Sequence, residues 1–201
     1  MCYFGEAWCS LIIFTFVSTM KNSSHEEWFP IVDEQGNIID KALRSVCHDG
    51  KSRLLHPVVH LHLFNSAGEL FLQKRAMTKD IQPGKWDTSV GGHVSQGETI
   101  REALTREVTE ELGLKNFKPR FLEQYEWESQ QERELVNSFS TTTDEAPAIN
   151  RDEIEEGRYW SLDEIKRVIG KNVFTPNFEH EFRMLFSSNS PPGGQKIDGT
   201  E

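Results

Sequence analysis

The sequence predicts a mixed α/β (α+β) sandwich, with helices packed on a mixed central β-sheet, rather than a doubly wound parallel sheet. Three observations carry that expectation. Apolar residues alternate with period two, as at Val59, Leu61 and Leu63, which marks a strand with one buried face. Polar turns such as Asn65-Ser66-Ala67-Gly68 return one strand directly into the next. Capped helices are intermixed with those hairpins.

The elements follow in order. Trp28 to Val32 and Ile38-Ile39 flank Glu34-Gln35-Gly36-Asn37 and form a hairpin. Leu43 to Ser52 reads as a linker with basic residues. Val58 to Phe64 and Leu70 to Lys74 are paired strands, and Lys79 to Lys85 is a loop around Pro83-Gly84. Trp86 to Val90 is a short strand running into Gly91-Gly92. Thr99 to Leu112 is the clearest helix, because Thr99 and Glu102 make a capping box and Gly113 stops it. Phe121 to Trp127 and Glu134 to Thr141 pair across a polar loop, and Arg158 to Trp160 is another strand. Ser161 with Glu164 opens a second helix ending at Gly170, and Asn177 to Phe186 is a third. The domain therefore spans 28–186, with an N-terminal extension over 1–27 and a disordered tail over 187–201.

Composition narrows the function classes. The chain has 201 residues, with 22 Lys plus Arg against 32 Asp plus Glu, and a formal charge of −10. That balance opposes nucleic acid and anionic membrane, so neither is an expected partner, but it permits a polyphosphate ligand held through divalent cations. Three scattered cysteines, Cys2, Cys9 and Cys47, make no disulfide framework and fit a reducing cytoplasm. The apolar run Leu11 to Val17 is far shorter than the ~20 residues of a membrane span. Residues 1–19 read as an upstream extension from a misplaced start, with Met20 as the alternative start; a degenerate signal or anchor is the other reading.

The chemistry lies on the first helix. Glu107, Glu110 and Glu111 stand at i, i+3 and i+4 and share a face, while Ile100, Ala103, Leu104 and Val108 supply the core stripe. A solvated acidic face is the ordinary meaning of such a cluster. On a rigid helix beside a Gly-Gly loop it also makes a hard-cation site, suited to Mg2+ with Mn2+ as a second candidate. Gly92, Glu98, Arg106-Glu107-Val108, Glu110-Glu111 and Gly113-Leu114 stand in the spacing GX5EX7REUXEEXGU. This pattern resembles the Nudix box, with every specified position filled. The resemblance extends over about 28–186 and implies the Nudix-type α/β/α sandwich. It implies that Glu107, Glu110 and Glu111 bind divalent metal, with Glu98 a further carboxylate nearby. It implies that Arg106 holds the carboxylates and that Gly92 offers its carbonyl to a metal. The implied reaction is attack of metal-activated water on the pyrophosphate bond of a small-molecule diphosphate, such as a nucleoside diphosphate derivative. Glu132 and Glu134, outside the box, are the candidates for the general base.

A narrower resemblance runs through HPVVHLHLFNSAGELFLQKRA and PGKWDTSVGGH to the isopentenyl-diphosphate isomerase branch of the same family. It implies a second metal site, for which His48, His56, His93, Glu132 and Glu134 are the matching positions; Mn2+ or Zn2+ suits such ligands. The isomerases carry an essential cysteine where this chain has Gly91. Its absence removes an acid–base partner for isomerisation, whereas the hydrolase box is complete. The expected activity is hydrolysis; isomerisation and a non-catalytic, nucleotide-sensing role are the alternatives. His60 and His62 are expected on the solvent or an inter-layer surface, Trp86 in the core, and Arg44, Lys51 and Arg53 on a solvated linker. The N-terminal hairpin suits either a monomer or a homodimer.

Overall fold

The computed structural model describes residues 26–79 and 81–186, so most of the expected extension and all of the expected tail lie outside the described residues. The chain opens with a two-stranded sheet, β1 (Trp28–Val32) and β2 (Ile38–Leu43). Its turn forms because Asp33 Oδ1 accepts the amides of Gln35 and Asn37 at 2.9 and 2.8 Å while Gly36 takes φ +83°. The expected linker is instead the end of β2 followed by a four-residue helix, α1 (Arg44–Cys47). Cys47 of that helix is fully buried with Phe29 and Ile31, which ties the hairpin to the domain. Four residues cannot show a helical apolar period, so this element leaves no signal in the sequence.

The main sheet comprises β3 (Leu55–Phe64), β4 (Leu70–Arg75), β5 (Trp86–Asp87), β6 (Val90–His93), β7 (Arg120–Glu128), β8 (Arg133–Thr142) and β9 (Ile154–Trp160). Its order is β5-β4-β3-β8-β7, with β6 also pairing β3 and β9 pairing β4. The β3–β8 pair is parallel and the others are antiparallel, which makes the sheet mixed. Strand β6 runs through Gly91 and Gly92 rather than stopping before them. The helices are α2 (Ile100–Leu112), α3 (Leu162–Val168) and α4 (Pro176–Phe186). Both halves of the Thr99–Glu102 capping box are made, and Gly113 closes α2 at φ +68°.

The pleat of β3 sorts its side chains into two layers. Val59, Leu61 and Leu63 pack with Ala103, Leu104, Val108 and Leu112 of α2. On the other face, Leu70, Leu72 and Trp160 pack with Ile165 of α3 and Phe178 and Phe182 of α4. Full burial of each such side chain contributes roughly 1.5–3 kcal/mol. Helices on both faces make the α/β/α sandwich. Trp86 lies in the second cluster, as expected, with its ring 5.1 Å from Trp160. His60 and His62 lie on the inter-layer surface and not in solvent, 7% and 0% exposed, because α4 brings the buried Glu181 against them.

Candidate active site

The same pleat distributes the candidate ligands. Val59 pairs with Gly92, so Gly92 faces α2; Val58 pairs with His93 and His56 with Glu134, so these face the α4 side. A cleft of about 1130 Å3 reaches both groups, lined by Glu107, Glu110 and Glu111 at one end and His48, His93, Glu132 and Glu134 at the other.

At the α2 end the helix approaches β6 closely. A Cβ on Gly92 would fall 2.0 Å from Glu107 Cδ, so only glycine leaves room for that carboxylate. Arg106 braces the group: Nε and Nη2 donate to Glu98 at 2.7 and 2.9 Å, Nη1 to Glu107 at 2.7 Å, and Nη2 also to the His93 carbonyl at 3.0 Å. This clasp holds Glu98 below the usual carboxylate range. Burial pushes Glu107 up to about 7 despite Arg106. Glu111 is 5% exposed and accepts from Gln73 Nε2 at 3.1 Å; burial and then Glu107 raise its pKa well above the ordinary range. Glu110 is open to the cleft, its side chain 56% exposed. Buried carboxylates in want of positive charge, packed against a glycine backbone, fit a hard divalent cation.

At the α4 end, one nitrogen from each of His48, His56 and His93 and an oxygen of Glu132 lie within 4.8 Å of one another. His56 Nδ1 donates to the Leu54 carbonyl at 3.0 Å, and its Nε2 is buried with no hydrogen-bond partner. A backbone carbonyl fixing one imidazole nitrogen while the other points bare into a ligand cluster fits a metal ligand. His48 Nε2 stands 3.3 Å from Glu132 and 3.1 Å from His93 Nε2. Phe29 of the hairpin stacks on His93 with ring centres 4.5 Å apart and roofs the group. Burial lowers all three histidines, His48 to about 4, and so keeps them neutral. Glu134 is not in this group. It is 8% exposed, pushed up to about 8 by burial and then by Glu132, and its Oε2 accepts from Asn177 Nδ2 at 3.3 Å.

Sequence reasoning named the acidic and histidine residues but missed several neighbours. Arg44 and Arg53, expected on a solvated linker, line the cleft; Arg44 Nη1 reaches His93 Nδ1 at 3.2 Å. Lys51 does not line it. Gln73, Asn177 and Glu181 were not singled out; the Thr175-Pro176 helix start was the one signal that pointed at Asn177. Cys47 is the cysteine among the described residues, and it is buried away from the cleft.

The comparisons agree with the box. The NUDIX domain family matches residues 54–182. A stretch of 137 residues, 68% of this chain and 80% of its relative, is 31% identical to an uncharacterized Nudix hydrolase of Pseudomonas aeruginosa. Identity to a Nudix hydrolase of Yersinia pestis is 39% over 88 residues, which are 44% of this chain and 47% of that protein. An isopentenyl-diphosphate Delta-isomerase of Photorhabdus laumondii is 29% identical over 167 residues, 79% of this chain and 94% of the isomerase. A crystal structure from Deinococcus radiodurans shares the fold at TM-score 0.69 and 24% identity, covering 80% of this chain and 99% of that one. The matched span, the filled box and the fold together make this chain a member of the Nudix family, on the branch that holds both hydrolases and isopentenyl-diphosphate isomerases.

Proposed function

We propose that this chain is a Mg2+-dependent Nudix hydrolase. It cleaves the pyrophosphate bond of a nucleoside diphosphate derivative or a related phosphorylated small molecule. The observation that carries the reading is the close packing of Glu107 on Gly92, with Glu111 buried behind it and Arg106 bracing Glu98. Glu107, Glu110, Glu111 and the Gly92 carbonyl would hold the cation. When bound, it neutralises phosphate charge and lowers the pKa of a coordinated water.

The chain's own residues do the rest. Arg106 fixes Glu98 and Glu107 so that the ligand oxygens do not have to be ordered on binding. Arg44 and Arg53 give the acidic protein a cationic rim that draws a diphosphate inward. Glu134, raised by burial, is the acceptor for the proton of the attacking water, and Glu132 belongs with the histidines. That His48, His56, His93 and Glu132 group would hold a second cation, with Mn2+ or Zn2+ favoured by its imidazoles. The three scattered cysteines suit a cytoplasmic setting. Among the described residues no helix is long and apolar enough to cross a membrane.

The test is 31P NMR of the protein with Mg2+, then Mn2+, and a panel of nucleoside di- and triphosphates, nucleotide sugars, dinucleotides, coenzyme A and isopentenyl diphosphate. New phosphate or monophosphate signals support hydrolysis. The histidine group and the isomerase relative favour one second reading, isomerisation of isopentenyl diphosphate. Gly91 and the inaccessible Cys47 speak against it. Appearance of the allylic isomer without phosphate release would replace the hydrolase reading. Nucleotide binding without turnover would point to sensing instead.

A further inference from the structure

Helix α4 turns two polar residues one turn apart toward the sheet, and the first of them, Asn177, lines the cleft. Asn177 and Glu181 stand at i and i+4 and so share a face. The start of α4 is pinned to β5: Thr175 Oγ1 donates to Asp87 Oδ1 at 2.8 Å and accepts the Phe178 amide at 3.2 Å. One turn later Glu181, 0% exposed, meets His60 Nδ1 at 2.8 Å and His62 Nε2 at 3.1 Å. A fully buried carboxylate needs compensating charge, and His60, held protonated by Glu181 against its own burial, supplies it. Glu181 is accordingly held well below the usual carboxylate range, His62 and His60 outweighing its burial. The depth and rotation of α4 are thereby fixed at both ends of its first turns.

Asn177 lies between these anchors. Its Nδ2 donates to Glu134 Oε2 at 3.3 Å, and its Oδ1 accepts from the Tyr125 hydroxyl at 2.9 Å. The phenol donates to the amide oxygen, which leaves the amide nitrogen, a donor only, to face the Glu134 carboxyl. Tyr125 stays protonated and able to donate, because burial and then the Glu181 and Glu134 charges raise its pKa. Residues from β7, α4 and β8 thus form a directed chain, Tyr125 to Asn177 to Glu134, ending on the buried carboxylate that lines the cleft.

We propose that Asn177 is a positioning residue for Glu134: it fixes the carboxylate that receives the proton of the attacking water, and the Glu181–His60–His62 clamp sets the depth at which it does so. This rests on the assignment of Glu134 as proton acceptor. The residue acts through Glu134 and makes no demand on substrate affinity.

The experiment is a double-mutant cycle with Asn177→Ala and Glu134→Ala, on whichever diphosphate the panel shows to be hydrolysed. Asn177→Ala is expected to lower kcat by about ten- to a hundredfold, the usual cost of a small misplacement, with KM within about twofold. In the Glu134→Ala background the same change is expected to cost less than about twofold, since nothing remains to be positioned. Asn177→Asp keeps the shape but loses the donor and is expected to behave like Asn177→Ala. Equal losses in both backgrounds, a loss confined to KM, or wild-type kcat in Asn177→Ala overturns the proposal. Independently of turnover, the Asn177 side-chain amide signals in a 1H–15N spectrum are expected to shift in Glu134→Ala and in Tyr125→Phe. Unmoved signals overturn the chain of hydrogen bonds, whereas a wild-type protein with no Mg2+-dependent turnover overturns the hydrolase reading alone.

Discussion

Arg106 holds Glu98 by both carboxylate oxygens, with Nε to Oε1 at 2.7 Å and Nη2 to Oε2 at 2.9 Å. The two residues lie on different elements, Glu98 in the loop after β6 and Arg106 on α2, so the clasp fixes how the loop sits on the helix. The Ser95 amide donates to the same Glu98 Oε2 at 3.0 Å and closes the loop on itself. A lysine in place of the arginine keeps the charge but loses the fork. Arg106→Lys is therefore expected to lower kcat by about tenfold or more and to weaken Mg2+ binding, while the melting temperature falls by only a few degrees, because the guanidinium is partly exposed. Steady-state kinetics against Mg2+ concentration, beside a thermal melt, checks it.

Gly92 is the tightest point of the α2 end. A methyl group there would overlap Glu107 at 2.0 to 2.3 Å, and the flexible side chain, rather than the backbone, would yield. Gly92→Ala is expected to fold, since its neighbours in β6 keep their pairing with β3, but to displace Glu107 and lose at least about tenfold in Mg2+ affinity. Calorimetric titration with Mg2+ reads this directly, and undiminished affinity would remove Glu107 from the ligand set.

How far the sequence carries depends on how local each signal is. Thr99, Glu102 and Gly113 announce α2 within a few residues, and the capping box and left-handed stop are both present. The acidic face is likewise a matter of i, i+3 and i+4 spacing. Glu181 is different: its partner His60 is 121 positions away, and no periodicity joins them. The alternation that exposed His60 and His62 to the eye was correctly read as a second face of β3. What covers that face depends on where α4 returns, which is a property of topology. The linker that became α1 failed for a simpler reason, since a single turn that carries His48 into the cluster has no pattern to detect.

The buried titratable groups predict how stability changes with pH when no metal is bound. Glu107 and Glu134 have pKa values raised to about 7 and about 8, and His60 to about 9. A raised folded-state value contributes stability that is present below the unfolded value and is lost as pH rises through the folded one. His48, lowered to about 4, works in the opposite sense: its contribution is present above its unfolded value and is lost as pH falls toward 4. Between the ordinary carboxylate and imidazole values the two glutamates lose more than His48 gains, so from these four groups the metal-free protein is expected to melt highest near pH 5 and to lose several degrees by about pH 8.5. Mg2+ prefers the ionised carboxylates, so its stabilisation is expected to grow from pH 6 to 8.5. Thermal melts across that range with and without Mg2+ decide the matter; a metal-free optimum above pH 8 would contradict the assignment.

The histidine group makes a separate prediction about metal content. His93 Nδ1 accepts from Arg44 Nη1 at 3.2 Å, which leaves its Nε2 to carry the proton toward His48 Nε2, 3.1 Å away. A cation would replace that proton, so binding is expected to release protons and to strengthen as pH rises. Imidazole ligands favour Zn2+ and Mn2+ over Mg2+, whereas the all-oxygen α2 group favours Mg2+. Chelator-stripped protein refilled with Mn2+ is expected to bind one equivalent more than His56→Ala protein does, because the unpartnered Nε2 of His56 is the ligand fixed most rigidly by its backbone bond. Glu111→Gln is expected to leave that equivalent in place while abolishing turnover, since it touches only the opposite end of the cleft. Elemental analysis of the variants distinguishes the two ends. Equal Mn2+ content in wild type and His56→Ala would mean that the four side chains do not hold a metal and that their convergence serves packing under Phe29 alone.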